Sequence, residues 1–438
     1  MSVSVSAPHF AAHAALSQPW ERSRAERLRL MLLWLTGASG ALVFIEPSPY
    51  EIVSLLTIIV FAISGLTLRL SLLPLVMLLI LINIGYTFSA NALLGDKTVA
   101  TWVATSWYLA ATSIFFAAAL STNTQARLDA LMRGCLVAGV IAALAGVAGY
   151  FHLVPGSDEL LLLYDRARGT FKDPNVFGAF MILPALLALR MVVIGRFMQA
   201  ARGMALLGLF TVAILLSFSR AAWGQLALTG AMVLALTFLT MPSPIQRLRI
   251  VLIAVAGIAA MALLLSALMS IDTVADLLKQ RMSLEQEYDV GETGRFGRHV
   301  LGALLALDVP LGIGPLQFSK IFPEDPHNSY LNAFMSGGWL SGVCYPTLTL
   351  LSLAFGLRYL FVATPWQSIM IVVYSAYVGM MIESVIIDTD HWRHVFLLLG
   401  VLWGLIAATR RYAVRAPARP AAAQGQVAAV LAPSSPAS

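Results

Sequence analysis

Charged residues and cysteines are both scarce in this sequence. Only 11% of the 438 residues are Asp, Glu, Lys or Arg, whereas a soluble globular chain carries roughly 25%. Hydrophobic residues make up 59%, and the mean hydropathy is +0.82. This balance disfavours a soluble enzyme, a disordered chain and a nucleic-acid-binding domain. The two cysteines, Cys135 and Cys344, fall inside apolar runs, so a disulfide framework of the secreted type is excluded.

The apolar residues form runs long enough to cross a membrane. A helix needs about 20 apolar residues to span the hydrocarbon core, and twelve segments approach or reach that length. The sequence therefore predicts an all-α polytopic membrane protein, with a tight turn at 217–220 between the seventh and eighth spans. The predicted spans are 28–45, 50–68, 71–90, 99–120, 129–150, 174–195, 203–218, 220–240, 250–269, 335–357, 366–387 and 394–409.

Arginines predict which side of the membrane holds the chain ends. Clusters of arginine precede the first span and follow the last one, and each predicted inner loop carries at least one more. By the positive-inside rule, both termini are cytoplasmic. The first span lacks a cleavage signature and is predicted to be a retained helix. The terminal arginines are Arg22, Arg24, Arg27, Arg29, Arg410, Arg411, Arg415 and Arg419.

The predicted organisation has five parts. A cytoplasmic tail covers 1–27, nine spans cover 28–269, and a large outer loop with short helices covers 270–334. Three further spans cover 335–409 and are followed by a cytoplasmic tail over 410–438. From Ala416 onward this tail is rich in Ala, Pro and Ser, so the tail is predicted to be disordered.

The charges divide unequally between the two predicted sides. The inner side holds 17 of the 28 Lys and Arg residues but only 3 of the 22 Asp and Glu residues. The net charge of +6 therefore reflects membrane orientation and not affinity for nucleic acid. Several arginines nevertheless lie on the acidic outer side: Arg166, Arg168, Arg220, Arg295 and Arg298.

Two interpretations of these outer arginines stay open, namely ion pairs with loop acids and an anion site. The planar guanidinium group matches the geometry of phosphate oxygens. Arg220 is the best candidate for an anion site, because it follows Ser217 and Ser219 at a predicted helix start. Backbone N–H groups and the helix dipole favour an anion there, and a charge at that depth is rarely idle.

His327 is the candidate catalytic base. It lies at the end of the large outer loop, just before the tenth span, within Asp-Pro-His-Asn-Ser-Tyr. An imidazole near the outer surface can take a proton from a hydroxyl group at neutral pH. The alternative from the sequence alone is a structural histidine that caps the helix.

Other chemistries have weaker support. His391 and His394 lie near Asp388 and Asp390 with a spacing that suits a metal, but a short acidic turn is more often simply solvated. The sequence contains no HExxH, no CxxC and no phosphate-cradling GxxxxGK[ST] segment. Neither a zinc mechanism nor an ATP-driven one is supported.

A histidine and several arginines on the outer face suit a substrate that carries a diphosphate at the membrane surface. The arginines would hold the diphosphate and stabilise its charge as it departs, while the histidine activates an acceptor hydroxyl. The acceptor hydroxyl would attack the sugar carbon that is joined to the diphosphate and displace the diphosphate directly, which inverts the anomeric centre. Such a displacement forms no glycosyl-enzyme intermediate, so no carboxylate nucleophile is required.

Four segments between about 160 and 340 resemble the bacterial O-antigen ligase/polymerase superfamily. Their order along the chain and their predicted side of the membrane support the resemblance. They are Arg166-Ala167-Arg168-Gly169-Thr170-Phe171 with Asp173-Pro174-Asn175, then Ser217-Phe218-Ser219-Arg220, Gly312-Ile313-Gly314-Pro315, and His327-Asn328 separated by nine residues from Gly338.

The resemblance implies a GT-C-like, inverting glycosyltransferase of the bacterial inner membrane that uses no metal and no cofactor. Its donor would be a glycan on undecaprenyl diphosphate, and its active site would face the periplasm. In the ligase branch the acceptor is a sugar hydroxyl of lipid A–core. The implied partners are thus these two substrates and membrane lipids, with no nucleic acid.

The resemblance also implies roles for individual residues. His327 would be the base, and Arg220, Arg166 and Arg168 would contact the diphosphate. Arg295 and Arg298 would join them, although arginines of the large loop vary in spacing among such proteins. Asn175, Asn328 and Tyr330 would be secondary residues of the site.

Three alternatives stay open. An O-antigen polymerase uses the same donor with a growing glycan as acceptor, and a protein O-oligosaccharyltransferase glycosylates a protein hydroxyl. A twelve-span transporter would place ionisable groups near the bilayer midplane and relate the two halves of the chain by a repeat. Here no such repeat is visible, and Glu383 is the one clear acid within a late span.

Overall fold

The computed structural model describes residues 24–271, 274–276, 291 and 294–415. Within these ranges the chain is a helical bundle, and its β-structure is one two-stranded antiparallel hairpin. The all-α polytopic fold predicted from the hydropathy pattern is confirmed. Most of the two predicted tails and part of the predicted outer loop lie outside the described residues.

The first half of the bundle comprises α1 Arg24–Ser39, α2 Pro49–Ile63, α3 Leu73–Ser89, α4 Lys97–Leu120, α5 Thr124–Tyr150, α6 Asp158–Leu161, β1 Leu162–Leu163, β2 Arg166–Ala167, α7 Pro174–Phe180, α8 Ile182–Ile194 and α9 Phe197–Leu216. The second half comprises α10 Arg220–Thr240, α11 Pro244–Met269, α12 Arg295–Asp308, α13 Phe318–Ile321, α14 Ser329–Leu360, α15 Gln367–Glu383 and α16 Arg393–Arg415. Short 3₁₀ turns at Leu70–Leu72 and Asn91–Leu93 precede α3 and α4.

Among the described residues, nine helical segments are long and apolar enough to cross a membrane. Two further apolar helices, α2 and α15, have 15 and 17 residues, and α1 has 16. Each of the twelve predicted spans overlaps one of these helices, but the first two predicted spans run past Ser39 and Ile63, where α1 and α2 end. Helix α16 continues to Arg415, past the predicted end of its span at 409. The number of spans that cross the membrane and their orientation stay predictions.

Small residues let the central helices approach closely. Gly37 of α1 faces α5 so tightly that a Cβ atom there would lie 2.6 Å from the Leu131 carbonyl oxygen. Gly85 of α3 lies equally close to α14, where a Cβ atom would meet the Gly337 carbonyl oxygen at 2.7 Å. Such contacts are typical of membrane helices, which associate through close packing. By contrast, α11 lies at the periphery, where most of its apolar residues are exposed and only Ile250 and Leu268 are buried.

One end of the bundle gathers the segments singled out from the sequence, and we call it the site end. Helices α7 and α10 begin there, α15 ends there, and α14 begins there beside the end of α15. The Ser329 amide donates to the Ser384 carbonyl oxygen at 2.8 Å, which joins the last two elements.

Helix α14 bends at Gly338, whose backbone is left-handed with φ of 63°. The loop after α12 fills this bend. The Trp339 amide donates to the Pro310 carbonyl oxygen at 2.9 Å, and the Ile313 amide donates to the Met335 carbonyl oxygen at 2.8 Å. The Gly-Ile-Gly-Pro segment therefore packs against the first half of α14 and attaches the outer loop to it through these hydrogen bonds.

Replacing Gly338 by alanine is expected to destabilise the protein by about 1–3 kcal/mol, because a side chain strains the left-handed backbone. A Cβ atom at this position would also lie 2.4 Å from the Pro310 carbonyl oxygen. The measurement is the thermal unfolding midpoint of the purified protein in detergent. The matched control is Gly208→Ala, where a Cβ atom would meet nothing within 4 Å. Equal midpoints for Gly338→Ala and the wild type would contradict this account of the bend.

Candidate active site

A cleft of about 790 Å³ opens at the site end. It lies between α10, α15, the β1–β2 hairpin and the starts of α7, α12 and α14. Its polar lining is mainly basic, and its apolar lining comes from α10, α12, α15 and the segment after α15. The lining residues include Arg166, Asn175, Phe218, Ser219, Arg220, Gly224, Gln225, Leu228, Arg295, Phe296, His327, Gly379, Ile382, Glu383 and Ile386.

Arg166 is fixed in β2 by two hydrogen bonds. Its Nε atom donates to the Ser217 carbonyl oxygen at 2.8 Å, and its Nη2 atom donates to Asn175 Oδ1 at 2.8 Å. Asn175 is held in turn, because Asp173 caps α7 and accepts a hydrogen bond from the Asn175 amide at 2.7 Å. The buried guanidinium group thus ties the hairpin to the starts of α7 and α10.

Arg220 is the first residue of α10, as the sequence predicted. The turn before it requires a left-handed backbone at Phe218, with φ of 48°. Ser219 caps the helix by accepting from the Ala222 amide at 3.4 Å. Since Ser219, Arg220 and Ala221 all line the cleft, the helix N-terminus and the guanidinium group present positive charge to the same space.

His327 lies opposite, at the start of α14, with 35% of its side chain exposed. Its Nδ1 atom is 3.5 Å from Asp388 Oδ2. The same carboxylate accepts hydrogen bonds from the backbone amides of His327 and Asn328, at 3.1 and 3.0 Å. The imidazole is therefore oriented by an acid that also holds its backbone, which is the arrangement expected of a general base and its supporting group.

Burial raises the pKa of the Asp388 carboxyl group, and its hydrogen bond and charge interaction with His327 act in the opposite direction. Asp388 belongs to the connection between α15 and α16. The sequence alone predicts a solvated acidic turn here, because the partner of Asp388 lies 61 positions away in the chain.

Asn328 and Tyr330 lie beside the cleft in structural roles. Asn328 caps α14, since its Oδ1 atom accepts from the Tyr330 and Leu331 amides at 3.0 Å each. The capping role that the sequence left open for the histidine thus belongs to its neighbour. The Tyr330 hydroxyl donates to the Met381 carbonyl oxygen at 2.9 Å and joins α14 to α15.

Two of the predicted arginines lie away from the described lining of the cleft. Arg168 donates to the backbone carbonyl oxygens of Glu159, Leu160 and Lys172, and so holds its own loop together. Arg298 is only 2% exposed and pairs with Glu324 Oε2 at 2.7 Å. Their predicted contacts with a diphosphate stay predictions.

Arg295 lines the cleft at the first turn of α12, one turn before Arg298. Glu324 lies among these positive groups, with Oε2 at 4.0 Å from His327 Nε2. The hydrogen bond from Arg298 is the largest influence that lowers the pKa of Glu324, and the charges of Arg298, His327 and Arg295 add to it.

Glu383 and Gln225 are cleft residues that the sequence interpretation did not include. The sequence does distinguish Glu383, because it is the one clear acid in a late predicted span. Gln225 carried no signal, because a glutamine in an apolar run has no distinctive spacing. Its contact with Glu383 depends on how α10 packs against α15.

The structure also shows the surroundings of the two histidines near Asp390. The His391 ring stacks on Trp102 with centroids 4.0 Å apart, and the His394 ring lies 5.3 Å from that of Trp392. Among the described residues, no three His, Cys, Asp or Glu side chains are grouped to hold a metal ion.

The fold defines an all-α polytopic membrane protein with a basic cleft at one end. Residues 203–345 match the family model described as O-antigen ligase, which supports assignment of the chain to the O-antigen ligase family. The matched part runs from α9 into α14 and contains Arg220, Arg295 and His327. The match supports a glycosyltransferase-like enzyme of the ligase/polymerase type. No curated protein matches the sequence significantly.

Replacing Glu324 by glutamine is expected to lower the unfolding midpoint at neutral pH, because buried Arg298 loses its charged partner. The pKa of Glu324 lies below its ordinary value of 4.5 in the folded protein. The stabilising contribution is therefore present above pH 4.5 and is lost as the pH falls through the lowered pKa.

The check is the difference between the wild-type and Glu324→Gln midpoints as the pH is lowered. We expect a constant difference at neutral and mildly acidic pH that shrinks in more acidic solution. Glu159→Gln, which alters an exposed carboxylate at the same end, is the control and should show no such difference. A difference that grows on acidification would contradict the pairing.

Proposed function

We propose that the cleft binds a glycan linked to undecaprenyl diphosphate and that the protein is an O-antigen ligase. The glycan would be transferred to a sugar hydroxyl of lipid A–core at the periplasmic face of the inner membrane. The observation that carries this proposal is the convergence of three arginines and the His327–Asp388 pair on one cleft. The family match supports the ligase/polymerase type of function, and the donor and acceptor are our proposal.

The basic end of the cleft suits a diphosphate. Arg166, Arg220 and Arg295 line it together with the N-terminus of α10. Guanidinium groups bind phosphate oxygens through paired, charge-assisted hydrogen bonds. Because Arg166 is already fixed by Ser217 and Asn175, it needs little reorganisation as the diphosphate gains negative charge on leaving.

His327 is placed to accept the proton of the acceptor hydroxyl. Its Nδ1 atom faces Asp388, so Nε2 is the nitrogen that serves as base. The acceptor oxygen attacks the anomeric carbon, the bond from that carbon to the diphosphate oxygen breaks, and the diphosphate leaves with the electron pair. The proton passes to Nε2, and Asp388 and Glu324 stabilise the imidazolium that forms. This sequence of events inverts the anomeric centre and requires no metal and no cofactor.

The apolar wall of the cleft suits the lipid part of the donor. Leu228, Ile382 and Ile386 line this side, and Leu228 and Ile382 are exposed. An isoprenoid chain would lie along them, in contact with the surrounding membrane lipids. With both termini in the cytoplasm, the site end and its loops would face the periplasm, and the five-part organisation predicted from the sequence would follow.

The transfer product separates the possible branches of this function. The assay combines the purified full-length protein, the lipid-diphosphate glycan and each acceptor in turn, with EDTA present. Glycan on lipid A–core supports the ligase, a lengthened lipid-linked glycan indicates the polymerase, and a glycosylated protein indicates an O-oligosaccharyltransferase. Absence of every product would contradict the proposal and favour the transporter.

In this assay, His327→Ala is expected to lower the transfer rate by about 10²–10⁴-fold, because the general base is lost. The variant should insert into the membrane and bind the donor normally. His152→Ala is the matched control, since His152 is an exposed histidine that pairs with Asp158 outside the cleft. Transfer at the wild-type rate by His327→Ala would contradict the assignment of His327 as the general base.

Arg220→Ala is expected to raise KM for the donor about 10- to 100-fold, because a hydrogen bond to a charged group contributes about 1.5–3 kcal/mol. The KM for the acceptor should change little. Arg247→Ala removes an arginine that donates to the Met241 carbonyl oxygen outside the described lining of the cleft, and it serves as control. An unchanged KM for the donor in Arg220→Ala would refute the diphosphate contact.

A further inference from the structure

The cleft contains a buried acid that the transfer mechanism does not use. Glu383 is the last residue of α15 and only 3% of it is exposed. It lines the cleft together with Gly379, one turn earlier in the same helix. A carboxyl group beside a site for a diphosphate needs an explanation, because an ionised acid would repel the ligand.

The contacts of Glu383 are incomplete. With the Gln225 amide nitrogen turned toward it, Gln225 donates to Glu383 Oε2 at 2.9 Å and accepts from the Met380 amide at 3.1 Å. The other carboxyl oxygen, Oε1, is buried without a hydrogen-bond partner among the residues that the structure describes. Burying an ionised carboxylate with one unpaired oxygen is highly unfavourable, whereas a neutral acid avoids that cost. The Oε1 atom then carries a proton that can be donated to a ligand.

The position of Glu383 along the bundle indicates which part of the donor it meets. Helix α10 begins at Arg220, and Gln225 lies five residues further, which is about 7.5 Å along a helix axis. Glu383 bonds to Gln225 and so lies deeper in the bundle than the start of α10. The apolar residues Leu228 and Ile382 line the same side of the cleft. This part of the cleft corresponds to the lipid side of the diphosphate and not to the glycan.

We propose that Glu383 is a neutral carboxylic acid that donates a hydrogen bond from Oε1 to the lipid-side phosphate of the bound donor. The inference depends on the proposed function, and it adds a binding residue for one end of the substrate. A neutral O–H donor and a phosphate oxygen form a charge-assisted hydrogen bond. Gln225 holds Oε2 and thereby directs the donating oxygen. No proton is transferred in this step.

Two substitutions separate a donating acid from an ionised one. Glu383→Gln keeps the shape and a neutral hydrogen-bond donor, whereas Glu383→Leu keeps a similar volume and removes the donor. An apolar side chain is well tolerated inside an apolar bundle, so the second variant is expected to fold. The unfolding midpoint without ligand verifies folding for both variants.

The experiment measures equilibrium binding of undecaprenyl diphosphate to the purified full-length protein in lipid nanodiscs. We expect Glu383→Gln to bind within about threefold of the wild type and Glu383→Leu to bind about tenfold more weakly. In the transfer assay, Glu383→Leu should raise KM for the donor and leave KM for the acceptor unchanged. If Glu383 had a merely structural role, Glu383→Leu would lower the unfolding midpoint without raising KM for the donor selectively over KM for the acceptor.

Three results would overturn the inference. Equal weakening in both variants would show that the ionised carboxylate is required, and unchanged binding in both would show that Glu383 does not touch the lipid diphosphate. If Arg220→Ala weakens binding in that second case, the proposed function stands and only the role of Glu383 fails. If the wild type does not bind undecaprenyl diphosphate, both proposals fail together.

Discussion

The geometry of the site depends on one carboxylate, that of Asp388. It accepts hydrogen bonds from the backbone amides of His327 and Asn328 and faces the His327 imidazole at the end of the large outer loop. The next residue reinforces the joint, because the Thr389 amide donates to Ser329 Oγ at 2.7 Å. Asp388 thereby fastens the start of α14 to the end of α15. Since α15 forms one wall of the cleft and His327 lies at the start of α14, this single joint fixes the imidazole relative to that wall.

The positive groups around the cleft are likewise held in place by hydrogen bonds and ion pairs. In an apolar bundle a charged side chain needs partners, and both Arg166 and Arg298 have them before any ligand arrives. Arg166 is bound to Ser217 and Asn175, and Arg298 is buried against Glu324. Such fixed groups favour transition-state stabilisation, because they do not have to reorganise during the reaction. Glu383 lies buried in the same cleft beside apolar residues, where a neutral acid is less costly than an ionised one.

The sequence predicts the helices well and the site less completely, for a physical reason. Membrane thickness imposes a length on every span, so hydropathy finds the helices, and the serines before Arg220 mark a helix start. Which arginine faces the cleft depends on contacts between distant segments. Arg166 reaches Ser217 across the fold, whereas Arg168, two residues later, turns back to its own loop. The bend at Gly338 and the pairing of Gln225 with Glu383 are likewise set by helix packing, which a single sequence does not display.

The most direct measurement of the central claim is an experimental structure of the full-length protein with undecaprenyl diphosphate bound. The diphosphate is expected to lie within hydrogen-bond distance of Arg166 and Arg220, with the lipid chain along Leu228 and Ile382. His327 should face the position of the departing oxygen from the opposite side. Density for the ligand in another cavity, such as the apolar one beside Lys172 and Arg393, would contradict the account.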